Sequence, residues 1–195
     1  MNRVRIIAGL GNPGEEYENT RHNAGFLALD SFAASFDGRW VWEKRFQADT
    51  CLAELSGYPV LLVKPRTFVN RSGDSLGALA RYYKFGSDQF CVLYDDITLD
   101  PGRIKVSPSG SAGGHNGVAD LLQKLGPDFV RFKIGVGGKS HPEMDLKDWV
   151  LGRISKDETP FLEESYQKVR AGLELLVAGG VERAMNECNT RSKAS

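Results

Sequence analysis

Two kinds of apolar pattern alternate along the chain: short unbroken runs, and longer stretches with apolar residues at helical spacing. Val4 to Leu10 is an apolar run closed by the turn signal Gly11-Asn12-Pro13-Gly14. Residues 23–36, NAGFLALDSFAASF, set Phe26, Leu29, Phe32, Ala33 and Phe36 at helical intervals. Residues 39–64 predict successive strands. There RWVWEKRFQADTCLAEL and VLLVK flank Ser56-Gly57-Tyr58-Pro59, an antiparallel hairpin pattern. The loop PRTFV leads to a helix from about Ser72 to Tyr83, with Asn70 placed to cap it.

Gln89 to Tyr94 predicts a buried strand ending in Asp95-Asp96, and Pro101-Gly102 turns the chain into the short strand RIKV. The Gly/Ser-rich loop SPSGSAGG precedes a helix from about His115 to Leu125. A strand over 130–136 and a loop over 137–142 follow. Residues 159–177 predict a helix with Phe161, Leu162, Tyr166, Val169, Leu173 and Leu176 on one face, and 181–187 a last short one. Helices alternating with strands, with one hairpin, predict an α/β fold: one domain over residues 1–188, a mixed sheet covered by helices, and a disordered tail at 189–195.

Composition narrows the class without changing the pattern. At 195 residues, 41% hydrophobic and 26% charged, the chain has the make-up of a soluble globular protein. No apolar run approaches the ~20 residues of a membrane span. The N-terminus lacks a signal-peptide core and cleavage site, so a cytoplasmic location is expected. Cys51, Cys91 and Cys188 are scattered and form no CxxC, and Cys51 and Cys91 fall in apolar runs as buried thiols. His22, His115 and His141 show no HExxH spacing, so no metal and no cofactor is expected. Basic and acidic residues balance at 25 each, so any affinity for RNA has to come from local patches.

The candidate chemistry sits at loop–helix junctions. Residues 9–14, GLGNPG, match a dinucleotide-binding GxGxxG, with Asp30 roughly where a ribose-binding acid would stand. The following Glu15, Glu16 and Glu18 oppose a phosphate there, so a tight loop presenting an exposed Asn12 amide is the better reading. His22 stands at a helix start, where a histidine is either structural or a general base. Its unperturbed pKa of about 6.5 suits base catalysis near neutrality. A base needs an acceptor to orient it, and Asp95, ending a buried strand, is the candidate. Asn12, Asn70 and Asn116 each stand where a strand or loop hands over to a helix. Asn70 and Asn116 are candidate caps taken alone; together the three are amides that can hold a carbonyl or a water. No GxSxG elbow and no well-placed cysteine occurs, which favours a histidine acting on water. Lys64, Arg66, Arg71, Arg103, Lys105, Lys133 and Lys139 are either solvated charges or the walls of an RNA cleft.

Six segments in order, GLGNPG (9–14), YENTRHNAG (17–25), VKPRTFVNRSG (63–73), YDDITLDPG (94–102), GGHNG (113–117) and RFKIGVG (131–137), resemble the bacterial peptidyl-tRNA hydrolase family. The resemblance implies a single-domain, mixed twisted sheet surrounded by helices, in a metal-independent cytoplasmic monomer. It implies hydrolysis of the ester between a peptide and tRNA, recycling tRNA from aborted translation. By resemblance His22 abstracts a proton from water, Asp95 supports it, and Asn12 separates blocked from free amino groups. Asn70 and Asn116 hold substrate and water, Tyr17 and Phe68 meet the tRNA acceptor end, and Lys105 clamps a phosphate. The chain departs from the family pattern at Val69, Ser107, Ala119 and Lys133, which alters the grip on RNA and peptide and leaves the catalytic set intact. Two rival expectations stand beside this one: a non-catalytic RNA-binding relative of the intron-splicing type, and a nucleotide-dependent oxidoreductase resting on the glycine loop.

Overall fold

Side chains of the central strands alternate between two cores, one on each face of a single sheet. Ile6 and Ala8 pack on one side and Ile7 on the other; Phe90, Val92 and Tyr94 join the first, Cys91 and Leu93 the second. Strands buried on both faces read as unbroken apolar runs, which is why the sequence pattern locates them. The computed structural model describes residues 3–190. Its elements are β1 (Ile6–Gly9), α1 (Ala24–Ala34), β2 (Val41–Glu43), β3 (Ala48–Leu55), β4 (Tyr58–Pro65), α2 (Ser72–Tyr83), β5 (Phe90–Asp96), β6 (Ile104–Ser107), α3 (Asn116–Lys124), β7 (Val130–Gly135), α4 (Leu146–Val150), α5 (Thr159–Gly179) and α6 (Val181–Cys188).

The strand order is β2-β3-β4-β1-β5-β7-β6. β1 runs parallel to β4 and β5, and β5 parallel to β7, while β2, β3 and β6 pair antiparallel with their neighbours. The sheet is therefore mixed, as the hairpin pattern predicts. α1, α5 and α6 cover one face; α2 and α3 cover the other. The region 39–55 differs from a single long strand: residues 44–47 form a turn between β2 and β3, with Gln47 at φ 48°. α4 has no counterpart among the predicted elements; at five residues it is too short to show helical periodicity. Asn189, placed by sequence in a disordered tail, instead donates to the Val106 carbonyl and accepts from the Val106 N–H. It fastens the end of α6 to the edge strand; the remainder of the expected tail, residues 191–195, lies outside the described residues.

The glycine loop after β1 owes its glycines to packing. A Cβ on Gly9 would stand 2.3 Å from the Gly25 carbonyl oxygen, and one on Gly11 would meet the Phe26 ring at 2.8 Å. Gly25 in turn lies so close to the sheet that a Cβ would fall 2.3 Å from the Leu93 oxygen and 2.6 Å from the Leu10 nitrogen. Helix α1 thus touches the backbone of β1 and β5 directly, which brings its N-terminal turn to the end of β5. Asp30 is bound to the buried Lys64 ammonium rather than offered to a ribose, and neither residue lines the cleft at the ends of the central strands. Replacing Gly25 with alanine is expected to lower stability by about 1–3 kcal/mol, the usual cost of overpacking. A urea midpoint equal to that of the parent chain would contradict the close approach.

Candidate active site

The C-terminal ends of β1, β4 and β5 converge, and the loops leaving them enclose a cleft of about 750 Å³. Open α/β sheets gather binding residues at this end because loops, not strand backbone, are free to carry varied side chains there. His22, Asp95, Asn12, Tyr17, Phe68, Asn70 and Asn116 all line this one cleft. Lys105 does not.

The centre is a buried carboxylate shared by two histidines. Asp95 is the penultimate residue of β5, and its Oδ1 lies 2.8 Å from His22 Nδ1 and 3.0 Å from His115 Nε2. The two rings pack with centroids 5.0 Å apart. His115 is the N-cap of α3, its Nδ1 accepting the Val118 N–H at 3.3 Å. That acceptor role leaves the His115 proton on Nε2, where it donates to Asp95. A carboxylate accepts at both partners, so His22 also donates, from Nδ1, and its Nε2 carries the free lone pair. Burial alone would raise the Asp95 pKa, but the charges and hydrogen bonds of His115 and His22 hold it well below the usual carboxylate range. Burial also pulls the His22 pKa down, and attraction to Asp95 outweighs it and leaves that pKa raised. His115 and its contact with Asp95 were not anticipated; its segment GGHNG was noted for the asparagine, and only the fold shows which carboxylate the histidine meets.

Asparagine side chains lock the loop after β1 (loop one) to the loop after β4 (loop three). The Asn12 N–H donates to Asn23 Oδ1 at 2.8 Å, and Asn23 Nδ2 returns a bond to the Asn12 carbonyl at 3.0 Å. Asn12 Oδ1 accepts the Val69 N–H at 2.8 Å. The Asn12 amide is therefore not exposed as predicted: the residue is 7% accessible, and its oxygen is spent on loop three. What it offers the cleft is the NH₂ donor. Asn70 and Asn116 are exposed on the rim, and neither caps its helix with its side chain. Asn70 lies within a 3₁₀ turn ahead of α2, and Asn116 is the first residue inside α3, after the His115 cap. Both amides are thus left free of structural work.

The wall facing this cluster is α4 and the residue after it, contributing Leu146, Val150 and Leu151. It is strapped to the residue before His22. Arg21 forms a two-pronged bond with Glu158, at 2.8 and 2.7 Å, and its guanidinium carbon stands over the Trp149 ring, 3.7 Å from the centroid. The Trp149 indole donates to the Gly137 carbonyl at 2.9 Å. The glycine loop before His115 is held from below by Arg131, which is fully buried. Its guanidinium donates to the Gly110 carbonyl at 2.9 Å and the Phe129 carbonyl at 3.0 Å. Gly113 and Gly114 then turn the chain into α3 at φ 56° and 83°, in the left-handed region glycine tolerates.

Of the basic residues expected to line a cleft, Arg71 and Lys133 do so. Lys105 stands on β6 directly across from Lys133 on β7, exposed and outside the cleft. Directly opposed residues share a sheet face, so Lys105 extends the Lys133 side of the site. Arg66, Arg103 and Lys139 lie outside the cleft lining. The ligand atoms of His22, Asp95 and His115 lie within 4.8 Å of one another, which suffices in principle to share a metal ion. His22 Nδ1 and His115 Nε2 are each already engaged by the Asp95 oxygen in a hydrogen-bonded unit. Among the described residues no helix is long and apolar enough to cross a membrane.

A family model described as peptidyl-tRNA hydrolase matches residues 6–195. A peptidyl-tRNA hydrolase of Anaeromyxobacter sp. (strain K) is 40% identical over 193 residues, covering 98% of this chain and all of the relative. One from Lachnospira eligens is 42% identical over 185 residues, covering 94% of this chain and 98% of the relative. The crystal structure of peptidyl-tRNA hydrolase from Acinetobacter baumannii superposes with a TM-score of 0.92 at 32% identity, covering all of this chain and 98% of that one.

Proposed function

The chain belongs to the peptidyl-tRNA hydrolase family, and from that premise we propose that it cleaves the ester between a peptide and tRNA with a water activated by His22. The observation that carries this reading is the 2.8 Å contact of His22 Nδ1 with the buried Asp95, inside the cleft. It commits the His22 proton to Nδ1 and leaves Nε2 as the base. Nε2 takes a proton from water as the hydroxide oxygen attacks the ester carbonyl carbon. The tetrahedral intermediate collapses, the bond to the ribose oxygen breaks, and the imidazolium returns the proton to that oxygen. Peptide acid and tRNA leave. Asp95 stabilises the transient imidazolium while staying ionised itself.

Asn12 supports selection for a blocked amino group. With its oxygen held by Val69, it presents only a donor. A peptide or other N-acyl carbonyl accepts from that NH₂, whereas a free ammonium would meet donor with donor. Asn70 and Asn116, with amides free at the rim, hold substrate and water; Tyr17 and Phe68 form surfaces for the terminal nucleotide. Lys105, beside Lys133, is placed for a phosphate outside the cleft. The family resemblance carries the expectations of action as a monomer and of a cytoplasmic location.

The test is release of peptide from purified N-acyl-aminoacyl-tRNA by the purified protein, with free aminoacyl-tRNA as the contrast. Rapid release from the blocked substrate alone is expected. Tight tRNA binding without release at any enzyme concentration would instead identify a non-catalytic RNA-binding relative.

A further inference from the structure

A second surface of basic and aromatic residues begins next to the cleft, on the side away from Lys105. The Arg66 N–H donates to the Gln47 carbonyl at 2.8 Å, joining the loop that carries Phe68 to the turn at residues 44–47. Phe46 of that turn is buried, and its ring meets those of Tyr82 and Tyr83 at the end of α2, with centroids 5.3 and 6.1 Å away. Tyr82 and Tyr83 touch edge to face at 4.9 Å, and Tyr83 stacks on Phe85 at 5.5 Å. Packed as they are, the two tyrosines remain 57% and 41% exposed. The Arg45 guanidinium lies over Tyr82, 5.0 Å from its centroid.

Lys44, Arg45, Arg66 and Lys84 are all exposed around these rings. Glu43 and Asp49 pair with Arg45 and Arg66, each at 3.5 Å and accessible to solvent. Such loose exposed pairs contribute little and yield readily to a polyanion. Arg81 is not part of the group, because its guanidinium lies back near Gly77 on the α3 side of the helix. In a chain of zero net charge this is a local cationic excess of the kind the composition requires for RNA.

We propose that Lys44, Arg45, Tyr82, Tyr83 and Lys84, linked to the cleft through the loop of Arg66, form a second RNA-binding site for tRNA outside the cleft, on the flank opposite the Lys105 phosphate position. The proposal rests on the reading of the cleft as the seat of a tRNA end. Phosphates meet the cations, and unpaired bases or riboses lie against the tyrosine faces, which accept any base because each has a π-face. A protein partner fits less well, since protein interface cores are depleted in lysine and of charge generally. The Arg66–Gln47 backbone bond makes this patch contiguous with the loop that carries Phe68 into the cleft.

Two variants, K44Q/R45Q and Y82S/Y83S, test this against three substrates or ligands. For full-length peptidyl-tRNA, KM is expected to rise about tenfold in K44Q/R45Q with kcat unchanged, and the salt dependence of binding to weaken by one to two units in slope, roughly the release expected for two phosphate contacts. For an N-acyl-aminoacyl ester of adenosine alone, which ends at the cleft, both variants should match the parent. Deacylated tRNA should bind both variants more weakly than the parent, and Y82F/Y83F should restore binding because it keeps the rings. Unchanged tRNA affinity in both variants overturns the proposal. So does an equal loss on the adenosine ester, which would mark a structural role, or a loss of self-association by sedimentation with tRNA affinity intact, which would mark an interface between copies. Failure of the parent protein to hydrolyse any ester would overturn the esterase reading, while the deacylated tRNA comparison would still decide this one.

Discussion

Replacing His22 with alanine is expected to lower kcat by about 10²–10⁴-fold, the range a single positioned base contributes, with KM for peptidyl-tRNA nearly unchanged. The imidazole Nε2 is the base the geometry leaves free, because Nδ1 is committed to Asp95 at 2.8 Å. His115 does not replace it: both of its nitrogens are occupied, one by Asp95 and one by the Val118 N–H. Binding contacts from Asn70, Asn116, Tyr17 and Phe68 survive the substitution, which is why the loss falls on turnover. Single-turnover peptide release measures it. Near-parental turnover would move the base to another residue.

Replacing Asp95 with asparagine is expected to cost about 10²–10⁴-fold by a different route. The substitution keeps the shape and removes the charge that stabilises the imidazolium. It also allows the amide NH₂ to face His22, which would turn Nδ1 into the acceptor and place the proton on Nε2, the wrong tautomer for a base. The pH–rate profile separates this from simple damage. In the parent chain the His22 pKa is raised, so the neutral, active form accumulates only as pH climbs past that raised value, above the ordinary 6.5 or so. Without the carboxylate, burial acts unopposed and lowers the pKa. The acid limb of the residual activity should therefore move to lower pH. A profile superposable on the parent's would break the link between the two residues.

Much of this site was legible from local sequence, and the reason differs by residue. His22 and Asp95 were weak candidates alone, because helix starts and strand ends commonly carry polar groups; the ordered family segments around them made them legible. Asn12, Asn70 and Asn116 were legible as junction residues, yet their work was not. Whether a junction asparagine caps its helix depends on which way its amide turns. Asn12 turns to loop three, fifty-seven positions away, and His115 takes the capping task beside Asn116. Asn23 and Arg21 were passed over because their partners, Asn12 and Glu158, are set by how the chain folds back and not by any spacing. Lys64 shows the converse: a cation near a candidate loop was read as either a solvated charge or a cleft wall, and the fold makes it neither, burying it against Asp30.

The sequence by itself determined the α/β class, the positions of the long elements and the family, because periodicity and turn residues act over a few positions and motif order survives in one dimension. Only the tertiary structure decided that one carboxylate serves two histidines, that the Asn12 amide is buried with its donor outward, and that α4 is strapped across the site. Those are contacts between residues tens of positions apart, brought together by glycine-to-backbone packing of α1 on the sheet. Hydrogen-bond direction and burial follow from that packing, and neither is written in the spacing of residues along the chain.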